Sequence, residues 1–315
     1  MKNTLPKICV IQAPCKINLH LEIGEKRPDG FHNLRSIFAA LALSDTLRFE
    51  SLSGAGESAL SINQQTGGEV IAPRDNLVLK AVSLFRRRSG FRPALRIHLD
   101  KRIPVGAGLG GGSSDAASTL LALNLLSGKA LPMRELKEMA ALLGSDVPFF
   151  LAGGTAFTSG RGERLARLKT PAGFWVLLVK PPFSSGTANA YRLLDEARER
   201  GSLEGKPPQK QKPLSKKNLT GALETSPAEW PFYNDFLPVF LGGNAENAGI
   251  YRDILERLRE AGALFSGLSG SGSCCFGIFS AEKMAKKAEI CFFSTKNEAK
   301  LTFFIAQRAH PILEY

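Results

Sequence analysis

Residues 103–115 read Ile-Pro-Val-Gly-Ala-Gly-Leu-Gly-Gly-Gly-Ser-Ser-Asp, and five of the seven positions from Gly106 to Gly112 are glycine. A run so poor in side chains loses much backbone entropy on ordering. Its use is a loop whose bare N–H groups approach something anionic. Residues 94–99 alternate apolar and polar before Asp100-Lys101-Arg102, which is a strand pattern. Residues 113–127 place Ala116, Ala117, Leu120, Leu121 and Leu125 at helical spacing, with Ser113 and Ser114 as N-cap candidates. A glycine loop that feeds a helix N-terminus favours phosphate, through free N–H groups and the helix dipole.

Two familiar phosphate-binding patterns fail their context. Gly106-Ala-Gly-Leu-Gly110-Gly satisfies the G-x-G-x-x-G of the dinucleotide fingerprint, but a second helical pattern, 132–143, stands where a strand ending in an acidic residue belongs. A Walker A loop needs Lys-Ser/Thr after its last glycine, and none follows. A glycine-rich turn that only packs two elements closely stays open on these residues alone.

At 315 residues the chain is long enough for two domains. No apolar run reaches the roughly 20 residues that span a bilayer, and the first residues lack the apolar core and cleavage site of a secretory signal. Five cysteines without metal-type spacing suit free thiols in a reducing cytoplasm. The four histidines are scattered, so no metal site is expected. The net charge of +12 raises the question of nucleic acid. Much of it sits in residues 198–217, with seven Lys or Arg, three Pro and few apolar residues. That segment reads as a solvated insertion; its lack of aromatics disfavours a nucleic-acid platform.

Along the chain, residues 8–23 show two short strand patterns broken at Ala13-Pro-Cys15. Lys16 and Asn18 point to one face there, which on its own equally suits a solvent-facing edge. Pro28-Asp-Gly30 is turn chemistry, followed at once by Phe31 and His32. Strands are expected at 46–50 and 58–63, a helix over 75–88 capped by Asp75, and a hairpin over 153–168. Asp146 lies between a helix stop at Gly144 and Pro148-Phe-Phe, where it either ties a turn or sits as a partly buried acid near a site. Residues 174–180 read as a central strand, with a boundary near 171. Helices follow from 187 and over 248–261, and Ser269–Ser273 reads as a tight hairpin turn.

Three stretches in this order resemble the motifs of the GHMP kinases: Ala13-Pro-Cys-Lys-Ile-Asn18, Pro104 to Ser114, and Gly267-Leu-Ser-Gly-Ser-Gly-Ser273. Arg27-Pro-Asp-Gly-Phe-His-Asn-Leu34 and Gly144-Ser-Asp-Val-Pro-Phe149 narrow the likeness to the family of 4-diphosphocytidyl-2-C-methyl-D-erythritol kinases. The resemblance implies an α+β fold of two GHMP kinase domains, 1–168 and 169–315, with the active site in the cleft between them. It implies phosphoryl transfer from ATP, with Mg²⁺, to the 2-hydroxyl of a cytidyl-linked small molecule. Asp146 would be the base and Lys16 its neighbour. Pro104, Val105, Gly106, Ala107, Gly108, Leu109, Gly110, Gly111, Gly112, Ser113 and Ser114 would wrap the ATP phosphates. Asn18, Phe31, His32, Phe183 and Thr187 would bind the substrate. Phe31 stands where the family usually has Tyr, which keeps stacking and loses a hydroxyl. No membrane partner is implied, and the chain would act in the cytoplasm as a monomer or homodimer. A sister GHMP kinase for another alcohol is the alternative, with a basic RNA-binding protein far behind it.

Overall fold

The computed structural model describes residues 7–65, 75–128, 131–201, 214–242, 247–292 and 295–314. Two sheets organise the chain. The first holds β1 (Ile8–Lys26), β2 (His32–Ala55), β3 (Ser58–Gln64), β4 (Pro93–Lys101), β5 (Thr155–Gly160) and β6 (Arg164–Leu168). The second begins with β7 (Trp175–Lys180) and adds β8 (Phe265–Leu268), β9 (Cys275–Phe279) and β10 (Glu298–Phe303). The last strand, β11 (Ile312–Glu314), returns to the first sheet and pairs antiparallel with β1. Helices α1 (Leu77–Ser89), α2 (Gly111–Leu126), α3 (Met133–Leu143) and α4 (Val147–Ala152) interrupt the first set of strands. Helices α5 (Thr187–Glu199), α6 (Lys216–Ala222), α7 (Phe236–Leu241), α8 (Ala248–Glu260) and α9 (Glu282–Ile290) belong to the second half. This is the α+β arrangement expected.

The first sheet runs β11-β1-β2-β4-β3, and β5 joins β2 beyond Leu34. Beneath it Cys9, Ile11, Ala13, Phe49 and Ile97 pack against α1 to α4 in one core. Further along β1, Cys15, Ile17 and Leu19 pack instead against Val176, Leu178, Phe276 and Ile278 of the second sheet. One strand therefore serves both halves, and burial of its apolar residues joins them. In the second sheet β7 is central and Val176 to Lys180 are buried, as a continuous apolar run requires.

Local readings differ from the structure at several points. Residues 8–23 are one strand, with a register shift between Pro14 and Lys16 where the break was expected. The proline only bulges the ladder. Helix α1 starts at Leu77; its cap is Asn76, whose Oδ1 accepts from Val78 N at 2.9 Å, rather than Asp75. Helix α2 starts two residues early, at Gly111, so Ser113 and Ser114 lie inside its first turn and do not cap it. It is buried nearly all round, including Ser114, Asp115, Ser118 and Thr119, while Leu125 is 39% exposed. A helix enclosed by a core on most sides carries no single apolar stripe to read. Of the basic insertion, residues 202–213 lie outside the described residues; α5 runs into its start and α6 begins near its end.

Candidate active site

The bulge at Pro14–Lys16 turns β1 against the glycine loop, where Lys16 N donates to Leu109 O at 2.9 Å. Lys16 and Asn18 alternate with Ile17, so their side chains share a face, and that face is not solvent. They are 4% and 3% exposed. The solvent-edge reading of this strand is thereby excluded. The Lys16 ammonium donates to Asn18 Oδ1 at 2.6 Å and lies 4.8 Å above the Phe38 ring. Asn18 Nδ2 donates to Ser36 Oγ at 2.9 Å, which fixes the amide with its oxygen toward the lysine.

Asp146 precedes α4 and makes no capping bond to it, although it occupies the cap position. Its carboxylate faces the cleft, a third exposed, with Oδ2 3.5 Å from Lys16 Nζ. Two residues separated by 130 positions thus meet as an ion pair. Tyr191 of α5 stands in the same cleft, where burial and the Asp146 charge push its phenol up to about 12, so it stays protonated.

The glycine loop crosses between the halves. A Cβ on Gly108 would stand 2.2 Å from Ser269 O, and its φ is +74°. Only glycine permits this approach. Ser269 Oγ donates to Gly108 O at 3.0 Å, and Cys274 N donates to Ala107 O at 3.2 Å. Ser269–Ser273 is a hairpin connection between β8 and β9, as the sequence indicates, but it is also buried against the glycine loop. Asn234 secures it from behind, its Nδ2 donating to Leu268 O and Gly270 O, each at 2.8 Å. After the loop, the first N–H groups of α2 have no intrahelical partners. A cleft of about 410 Å³ lies here, of the size that holds a small-molecule ligand.

The cleft collects most of the residues expected from the sequence. Lys16, Asn18, Pro104 to Ser113, Asp146 and Thr187 line it. Ser114 does not; it is buried, and its Oγ has no hydrogen-bond partner. Thr187 Oγ1 pairs with Ser271 Oγ at 3.1 Å. Phe31, His32 and Phe183 lie outside this wall. Phe31 is 52% exposed, with the Arg161 guanidinium 4.9 Å from its ring centroid. His32 is buried; its Nε2 is 2.8 Å from Asp195 Oδ1, and its ring stacks on Tyr191 at 5.0 Å. Phe183 meets Tyr251 edge-on at 5.5 Å, and its carbonyl accepts from Ser273 Oγ. Sequence reading missed Ser36, Phe38, Tyr191, Asp195 and Asn234. None stands in a local pattern, so only Tyr191 and Asp195, four apart on α5, share even a helix face.

Comparison with known proteins gives the family and the fold. The model of the GHMP kinases N terminal domain matches residues 76–154, and that of the GHMP kinases C terminal matches 245–293. A 4-diphosphocytidyl-2-C-methyl-D-erythritol kinase of Rhodococcus jostii is 39% identical over 282 residues, covering 87% of this chain and 85% of that protein. The chain belongs to the 4-diphosphocytidyl-2-C-methyl-D-erythritol kinase family. Its relative from Pelotomaculum thermopropionicum is 36% identical over 92% of this chain and 96% of that one. The chloroplastic kinase of rice is 44% identical over 184 residues, which span 45% of its length. A crystal structure of 4-(cytidine 5'-diphospho)-2C-methyl-D-erythritol kinase superposes with a TM-score of 0.73 at 32% identity, covering 93% of this chain and 98% of the other. The chain is accordingly a phosphotransferase with the two-domain GHMP kinase fold.

Proposed function

We propose that this enzyme transfers the γ-phosphoryl group of ATP to the 2-hydroxyl of 4-diphosphocytidyl-2-C-methyl-D-erythritol, giving the 2-phosphate. That step lies in the non-mevalonate route to isopentenyl diphosphate and terpenoids. The observation that carries the reading is the Lys16–Asp146 pair, 3.5 Å apart beside a glycine loop that opens a buried helix.

A hydroxyl is a weak nucleophile until a base orients it and takes its proton. Asp146 is that base: an uncapped carboxylate, partly open to the cleft. The Lys16 ammonium favours its ionised form and offsets charge on the phosphoryl group in flight. Asn18, fixed by Ser36, keeps the ammonium in place and lines the substrate side of the cleft. Free backbone N–H groups between Val105 and Ser113 wrap the triphosphate, with the helix dipole behind them; Pro104 has no N–H, and the Ser114 N–H is bonded to Gly110 O. Phosphoryl transfer asks for little more than this positioning and charge.

Magnesium enters as part of the nucleotide. No group of three His, Cys, Asp or Glu suited to a metal occurs among the described residues. No side chain is assigned to the ion. Bound there, it would neutralise phosphate charge. Phe31 offers an open aromatic face to a cytosine, and His32, oriented by Asp195, offers its edge. Phe183 and Thr187 complete the substrate side. We place the two halves at 1–168 and 169–315, with β11 returning to the first sheet. No described helix is long and apolar enough to cross a membrane. The five free cysteines fit a reducing, cytoplasmic setting.

The test is transfer from γ-labelled ATP to the cytidyl substrate by wild type and Asp146→Asn. The variant is expected to lose about 10²–10⁴ in kcat, the range of a general base, with ATP affinity kept. Equal rates would remove Asp146 from this role. A wild type that binds ATP and ignores this alcohol would instead point to a sister kinase.

A further inference from the structure

Three charged side chains sit buried at the base of the glycine loop, and the phosphoryl transfer uses none of them. Asp45 on β2, Lys101 at the end of β4 and Asp115, one turn into α2, are 0%, 7% and 3% exposed. The Lys101 ammonium donates to Asp45 Oδ2 and, at 2.8 Å, to Asp115 Oδ2. The second oxygen of Asp45 accepts from the backbone N–H groups of Arg102 and Ile103, at 2.5 and 2.8 Å. Asp45 therefore grips the chain where it enters the loop. Asp115 sits where the chain leaves it. Lys101 links the two, close under the helix: a Cβ on Gly111 would lie 3.2 Å from its Nζ.

Such a cluster is poor glue. Apolar residues of similar volume usually stabilise a fold as well as buried charges do, because desolvation consumes the Coulomb gain. What the charges add is a single geometry, since every donor must meet its acceptor. Here the Lys101 ammonium faces two carboxylates, the Arg308 guanidinium acts on Asp115 as a second cation, and Asp115 Oδ1 has no hydrogen-bond partner. Burial pushes the Asp115 carboxyl up to about 7; Lys101 opposes the shift and Asp45 adds to it. Lys101 and Asp115 also reach the wall of the cleft. The cluster is thus placed where its geometry is felt by whatever the loop holds.

We propose that Asp45, Lys101 and Asp115 are a positioning triad that holds the two ends of the glycine loop at the separation a nucleoside triphosphate requires. The proposal rests on the ATP-binding reading above. The transfer step assigns none of the three to the reacting hydroxyl; they act through the loop ends, where Asp45 holds the N–H groups of Arg102 and Ile103 and Lys101 lies under Gly111. Loss of a link lets the loop ends part and weakens the grip on phosphate. Lys16 and Asp146, held by Asn18 and α4, keep their chemistry. The effect belongs in KM for ATP.

The experiment measures kcat, KM for ATP, KM for the alcohol and the thermal unfolding midpoint. It compares wild type, Asp115→Asn, Lys101→Met and the double variant, with ATP binding followed directly by titration calorimetry. Asp115→Asn is expected to raise KM for ATP about tenfold, keep kcat within about threefold and leave KM for the alcohol unchanged. Its unfolding midpoint should not fall. The double variant should bind ATP no worse than Lys101→Met, because one link can be broken only once. An Asp115→Asn protein that folds and keeps the wild-type KM for ATP overturns the proposal. So does a joint fall of kcat, both affinities and the midpoint, which marks a merely structural role. If Lys101→Met does not fold, Asp115→Asn decides by the same criteria. A wild type that binds no ATP refutes the nucleotide reading itself and the triad with it; a wild type that binds ATP beside an unaltered variant refutes the triad alone.

Discussion

Replacing Gly108 by alanine tests the contact that joins the two halves of the cleft. The new Cβ would lie 2.2 Å from Ser269 O and 2.9 Å from Gly272 O. Both are backbone atoms of a buried loop, so neither can swing aside. Restoring ordinary van der Waals contact needs a separation of about 1 Å or more between the loops. The hydrogen bonds from Ser269 Oγ to Gly108 O and from Cys274 N to Ala107 O bridge that same gap. Each such bond contributes about 0.5–1.5 kcal/mol net. The φ of +74° adds about 1–2 kcal/mol for any residue with a Cβ. The expected loss is about 2–5 kcal/mol, a large part of the roughly 5–15 kcal/mol that holds a typical protein folded. Thermal unfolding should fall by roughly 3–8 °C, and KM for ATP should rise with it. Gly112→Ala is the control. Its nearest neighbour would be Leu77 Cδ1 at 3.8 Å, inside α2. That variant should be as stable as wild type, or up to about 1 kcal/mol more so. A Gly108→Ala protein that unfolds like Gly112→Ala would refute the idea that this approach tolerates no side chain.

Other expectations follow from the same geometry. Lys16→Met should reduce kcat by about 10²–10³ through loss of the charge beside Asp146, while circular dichroism stays native; a kcat within threefold would remove the ammonium from the reaction. Asp195→Asn should raise KM for the cytidyl substrate more than it lowers kcat, since Asp195 holds His32 at 2.8 Å; equal losses in both would argue against an orienting role. Asp115 gives a pH signature. Its folded carboxyl titrates at about 7, above the usual value near 3.9, so the native state holds this proton longer than the unfolded chain does. Its contribution is fully present below about pH 4 and is lost as pH rises toward 7. In denaturant melts, Asp115→Asn should therefore gain on wild type between pH 5 and pH 8; a constant gap would contradict the raised carboxyl.

The sequence by itself determined the local chemistry. The glycine loop, the strand before it and the helix after it are legible because each is specified by residues within a few positions of one another. The same holds for the Pro28-Asp-Gly30 turn and the central apolar strand at 174–180. Motif order also carried the family. What the sequence left open was whether Lys16 faced solvent or a site, because alternation fixes a face and not what covers it. The covering comes from Asp146 and Phe38 and from the backbone of Leu109, brought there by folding. The start of α2 was misplaced because glycines, which disfavour helix, are held in its first turn by what packs on them. Ser36, Asp195 and Asn234 had no signal at all, since a side chain that meets a partner 18 to 163 residues away leaves no period to read. The tertiary structure alone decided that two loops with glycine at the contact touch across the halves, and that three charges lie buried beneath one of them. Both are matters of close approach between distant segments, set by packing the whole chain at once.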